Sequence, residues 1–131
     1  MSYLFLWTVI ERYVSLVHGA GLKPEQKVSA LGQDAGFGAA LKSSVHREHE
    51  IVDTRNLNAY RLLPENPEDS AEYYYAVRGN VTHRGKGTHN DGETVRLALN
   101  DLLAITETLV TEVRTVSRRF WTEISGGQGG P

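Results

Sequence analysis

Apolar residues recur at helical spacing along much of the chain and nowhere alternate cleanly, so the pattern predicts helices joined by glycine-rich connections and no strand. From Tyr3 to His18, Leu6, Ile10, Tyr13 and Val17 form a stripe that Val9 and Val14 widen, and Gly19 is a natural stop. This helix is expected to be deeply buried. Gly19 to Gly38 is glycine-rich, with a short helix opening at Pro24, and a further helix carries Phe37, Leu41 and Val45 on one face. Leu57 to Pro64 has no clear period. Pro64, Asn66 and Pro67 then lead into a helix that Asn66 caps and Pro67 begins, with Glu68 and Asp69 at its positive end. It is predicted to run through Tyr73, Tyr74 and Val77 to about His83.

Gly85, Gly87 and Gly92 interrupt the pattern, and Asn90 followed by Glu93 is a capping-box variant that starts the last helix. Val95, Leu99, Leu102, Leu109, Val113, Val116 and Phe120 follow alternating steps of four and three, with Thr106 in the one polar place. Unbroken from Asp91 to Glu123, it would be about 50 Å long at ~1.5 Å per residue, more than a compact domain of this size needs. It is expected to kink or to have its end covered by a partner. Ser125 to Pro131 is nearly all glycine and reads as a disordered tail. Residues 1–124 thus read as a single all-α domain, an up-and-down bundle of about four or five helices.

Composition agrees with one soluble domain: at 131 residues the chain can bury a real core, and 40% hydrophobic residues are too many for general disorder. It holds no cysteine, which removes disulfides, thiol nucleophiles and thiolate metal sites together. Tyr3 to Ile10 is apolar enough to suggest a signal peptide, but no basic region precedes it and Glu11 and Arg12 cut the run far short of a membrane span. The expectation is a cytoplasmic protein without a membrane partner.

One stretch stands out against a net charge of -2. From Arg78 to His89 the chain gathers Arg78, Arg84 and Lys86 with His83 and His89 and not one carboxylate, so any affinity for a polyanion must be local. The plainer explanation is that basic residues satisfy the carbonyls of a last helical turn and the glycines build a loop.

Arg78, four residues, then His83 matches the Arg-x4-6-His signature of the HEPN superfamily, helical domains rich in metal-independent ribonucleases. The first helix with Leu6-Trp7-Thr8-Val9-Ile10-Glu11, Tyr73-Tyr74-Tyr75 before the motif, Asn80 inside it, Arg84-Gly85-Lys86 after it and the long closing helix give an order that resembles bacterial HEPN proteins over most of the chain. Gly79 stands where many members place a polar residue, and Arg84 where glycine often follows the histidine. The resemblance implies a homodimer and an endoribonuclease that needs no cofactor, acting as a toxin or in phage defence with a possible antitoxin protein as partner.

Cleaving RNA without a metal needs a base for the 2'-hydroxyl proton, an acid for the leaving 5'-oxygen and cations for the phosphorane. His83 can take either proton-transfer role, and the planar fork of Arg78 can grip two phosphate oxygens. One histidine cannot be base and acid at once; a symmetric dimer would bring two copies of His83 and Arg78 to one cleft. Positions five apart on an ideal helix point roughly 140° away from each other, so Arg78 must curl, the last turn unwind, or the partner supply one of the pair. A glycine inside a helix costs about 1 kcal/mol relative to alanine, so Gly79 suggests close approach of a backbone or ligand. Asn80 completes the expected catalytic set by orienting the imidazole or binding a phosphate oxygen. Arg84 and Lys86 are the expected RNA contacts, with Lys86 and His89 ranked lower, and Thr82 is only a neighbour.

Tyr73, Tyr74 and Tyr75 can stack on bases, but three consecutive helical residues point three ways, so at least one belongs to the core. Glu11 interrupts a buried helix and calls for a cationic partner, Arg78 or another arginine; paired with Arg78 it would orient the site from behind. His46 and His49, beside Glu50, have the spacing that puts two imidazoles on one helical face, yet they read as a solvated charged face and not as a metal site. His18 reads as a helix-end cation. Two other functions fit the same residues: a catalytically silent HEPN module that binds nucleic acid, a nucleotide or a protein, and a structural dimerisation bundle.

Overall fold

The computed structural model describes residues 2–83 and 89–128, with side chains described for 2–82, 92–111, 118 and 122. Helix α1 (Tyr3–His18) is capped by Ser2, whose hydroxyl accepts from the Phe5 amide at 3.1 Å, and it ends at Gly19 with φ 116°. It buries Tyr3, Leu6, Trp7, Ile10 and Val14, so the core stripe is rotated from the expected one and Val17 lies exposed. Helix α2 (Pro24–Gln33) and helix α3 (Ala35–Ser44) follow, split at Asp34. The Asp34 carboxylate caps α3 through the Phe37 amide (2.8 Å) and also accepts from the Tyr13 hydroxyl (2.7 Å). His18 Nε2 lies 2.8 Å from its other oxygen, so His18 is tied to Asp34 in addition to ending its helix.

The expectation of an all-α fold is corrected by an antiparallel hairpin, β1 (His49–Val52) with β2 (Ala59–Leu62), in which His49 faces Leu62 and Val52 faces Ala59. Of these eight residues only Leu62 is fully buried, which is why no alternation announces the strands. The hairpin also overturns the shared helical face of His46 and His49, because His46 sits in the connection after α3 and His49 opens β1. Its turn places Leu57 at φ 60°, a left-handed conformation that costs a branched residue roughly 1–2 kcal/mol.

Helix α4 (Pro67–His83) begins as expected, with Asn66 Oδ1 accepting from the Asp69 amide at 3.1 Å. Helix α5 (His89–Gln128) is 40 residues long, about 60 Å at ~1.5 Å per residue. The five helices pack as a bundle about one core, with Leu6 and Ile10 of α1, Leu31 of α2, Phe37 and Leu41 of α3, Tyr73 and Val77 of α4, and Leu102, Ile105 and Leu109 of α5. Each such side chain contributes roughly 1.5–3 kcal/mol on leaving water. Among the described residues no helix is long and apolar enough to cross a membrane.

Candidate functional site

The C-terminal half of α4 carries the Arg-x4-His motif. Its three tyrosines divide as helical geometry demands: Tyr73 and Tyr74 are fully buried, while Tyr75 is partly exposed against Trp7, ring centroids 5.9 Å apart. The Arg78 guanidinium lies 5.8 Å from the centroid of the Tyr75 ring, a cation–π contact. Among the described residues no carboxylate pairs with Arg78, and Glu11, partly exposed on α1, makes no ion pair with it.

Gly79 is buried because Arg55, from the hairpin turn, lies over it; a Cβ there would stand 2.7 Å from Arg55 Nη2. The close approach expected at this glycine is therefore made by a side chain of the same chain. Arg55 is held by the buried Asp53, through Nη2 at 3.1 Å and through its own amide at 2.8 Å. Burial opposes ionisation of Asp53, but the Arg55 hydrogen bonds and charge outweigh it and hold the carboxyl below its ordinary range. Asn80 closes the clasp: its Oδ1 accepts from the Thr54 amide (3.0 Å) and hydroxyl (3.2 Å), and its Nδ2 donates to the Val52 carbonyl (3.0 Å). The asparagine inside the motif thus fastens the hairpin to the motif helix. Thr82 only returns its hydroxyl to the Arg78 carbonyl, as expected of a neighbour.

Between the hairpin, α4 and the start of α5 lies a cleft of about 300 Å³, lined among others by His49, Glu50, Thr54, Asn80 and Thr94. His49 is anchored from behind, its Nδ1 2.9 Å from the Tyr73 hydroxyl with the rings edge to face. Arg47 also reaches that hydroxyl and bonds Asp101 of α5, which in turn accepts from the Tyr74 hydroxyl at 3.0 Å. The Tyr74 carbonyl accepts from the Tyr3 hydroxyl at 2.7 Å. Burial raises the phenols of Tyr73, Tyr74 and Tyr3 above their ordinary value, the Arg47 charge opposing it at Tyr73 and Tyr74, so all three remain neutral hydrogen-bonding groups at physiological pH.

A second cleft of about 340 Å³ lies between α2, α4 and the hairpin. Glu25, Asp53, Glu68 and Glu72 face one another there across the single cation Arg55, a field that repels a polyanion.

Helix α4 remains helical through His83, so its last turn does not unwind before that residue. The side chains of His83 and His89, with Arg84 and Lys86 entire, lie outside the described residues. Sequence reasoning missed Asp53, Arg55, Arg47, Asp101 and the His49–Tyr73 contact. Only the first pair carried a local signal, since Asp-x-Arg in a stretch rich in asparagine is turn chemistry. The chain matches no family model, no curated protein and no solved structure.

Proposed function

We propose that this chain is a metal-independent endoribonuclease that cleaves RNA by attack of a 2'-hydroxyl on the adjacent phosphorus, leaving a 2',3'-cyclic phosphate and a 5'-hydroxyl. The observation that carries the reading is the state of Arg78: a partly buried guanidinium held over Tyr75, with no carboxylate on its fork among the described residues. Five positions later, about 7.5 Å further along the same axis, comes a histidine. A fork not neutralised by a carboxylate suits a phosphate that gains charge in the transition state. In this reading His83 moves protons, Arg78 stabilises the phosphorane, Asn80 holds the adjoining wall, and Arg84 and Lys86 contact the RNA backbone. A homodimer is one route to the second proton-transfer group, and a toxin or phage-defence setting, with an antitoxin protein as partner, is the biological context that fits.

The test is incubation of the purified protein with labelled total RNA in the presence of chelator. The parent is expected to cleave, and Arg78→Ala and His83→Ala proteins of verified folding to lose on the order of 100-fold or more in rate. Retained RNA binding without cleavage by the parent would replace this reading with that of a silent binding module. Neither binding nor cleavage would leave a structural bundle.

A further inference from the structure

We infer that His49 is a substrate contact of the cleft between the hairpin and α4, donating a hydrogen bond to a phosphodiester of a bound RNA strand. The identity of the ligand rests on the ribonuclease reading; the assignment of the contact rests on the geometry of His49 itself.

His49 is exposed, opens β1 and lines the cleft together with Thr94 and with Thr54 and Asn80, whose side chains bond each other, among aliphatic residues such as Val77 and Val95. An exposed surface imidazole has no need of an anchor. This one has a fully buried tyrosine behind its Nδ1, and that hydroxyl is itself held by Arg47, which Asp101 fixes in turn. Holding one ring nitrogen from the interior leaves Nε2 as the working atom, the arrangement by which proteins orient an imidazole toward a ligand. Tyr73 stays a neutral phenol, able to donate to neutral His49 or to accept from its protonated form, so the anchor survives a change of charge.

Among the described residues, the charged groups around His49 include the Arg47–Asp101 pair behind Tyr73 and, on its own strand, Glu50, whose carboxylate lies 3.7 Å from Arg61 Nε of β2. Thr54 of the turn, Asn80 of α4 and Thr94 of α5 bring no charge to the cleft. Glu50, the carboxylate that lines the cleft among the described residues, is therefore offset by a strand neighbour.

A phosphodiester is an acceptor throughout, and with Nδ1 held by Tyr73 the imidazole presents Nε2 to it. The experiment uses a 2'-O-methyl oligonucleotide, which binds but offers no 2'-hydroxyl to react. Its addition is expected to displace the His49 Hε1 NMR resonance. His49→Gln, an exposed change, is expected to weaken its binding on the order of tenfold, and Tyr73→Phe to weaken it less by releasing the ring. In the cleavage assay His49→Gln is expected to raise KM more than it lowers kcat, as loss of a ground-state contact does.

A His49 resonance unmoved at saturating oligonucleotide, or an unchanged affinity in His49→Gln, overturns the inference, even if the parent cleaves RNA. Equal displacement of the oligonucleotide by AMP at the same concentration overturns the assignment to a strand. A shifted His49 resonance with no cleavage by the parent upholds the contact and sinks the ribonuclease reading alone.

Discussion

Asn80 sits within the motif, two residues after Arg78, and commits its amide to the hairpin, accepting twice from Thr54 and donating once to Val52. Asn80→Ala removes all three hydrogen bonds from a partly buried place, and a loss of about 1–3 kcal/mol is expected in urea unfolding. Asn80→Asp keeps the acceptors but sets a carboxylate against the Val52 carbonyl, so it should fall between parent and alanine only at acid pH. Stability equal to the parent in Asn80→Ala would remove the clasp. Asp53 makes a different prediction at the same scale. Its folded pKa lies below the unfolded one, so its contribution is fully present above the ordinary aspartate range near ~4 and disappears as pH falls through the folded value. Asp53→Asn should show a shallower loss of stability below about pH 4 than the parent, by thermal unfolding across pH. Residue types inside the motif were legible in the sequence, but the role of Asn80 was not. Its partners lie 26 and 28 positions away in a hairpin with no pattern of its own.

At the scale of elements, two glycines mark close approaches that differ in kind. A Cβ on Gly32 of α2 would stand 2.9 Å from the Glu68 Cα, and backbone cannot step aside without moving α4. On Gly79 it would meet the far end of the Arg55 side chain, which can swing away. Gly32→Ala is expected to cost about 1–3 kcal/mol by overpacking. Gly79→Ala should be close to neutral, because the lost Asp53–Arg55 contact is offset by a gain of about 1 kcal/mol in helix propensity. Calorimetric unfolding of the two variants checks the order, and a Gly32→Ala protein as stable as Gly79→Ala would refute the distinction. The start of α4 was readable because Asn66, Pro67, Glu68 and Asp69 act within their own turn. The hairpin was not, since His49–Val52 and Ala59–Leu62 offer one buried residue between them and depend on α4 for the rest.

For the whole molecule, the helical bundle was legible because its core follows the 3.6-residue period that burial imposes on a helix. The cleft was not, because what builds it spans the chain: Tyr73 reaches His49 across 24 positions, Arg47 reaches Asp101 across 54, and Tyr3 reaches Tyr74 across 71. No local spacing records such pairings. A net charge of -2 likewise conceals the contrast between an acidic cleft beside α2 and one beside α5 where Glu50, its carboxylate among the described residues, is offset by Arg61.

The clasp between Asn80 and the hairpin turn also bears on how the molecule comes apart. Two four-residue strands with little buried surface form a small unit, and their hold on α4 runs through the Asn80 amide, the His49–Tyr73 contact, Arg55 over Gly79 and buried Leu62. That unit is expected to open before the helices do, and amide exchange of the wall that presents His49 is expected to slow first when a strand binds.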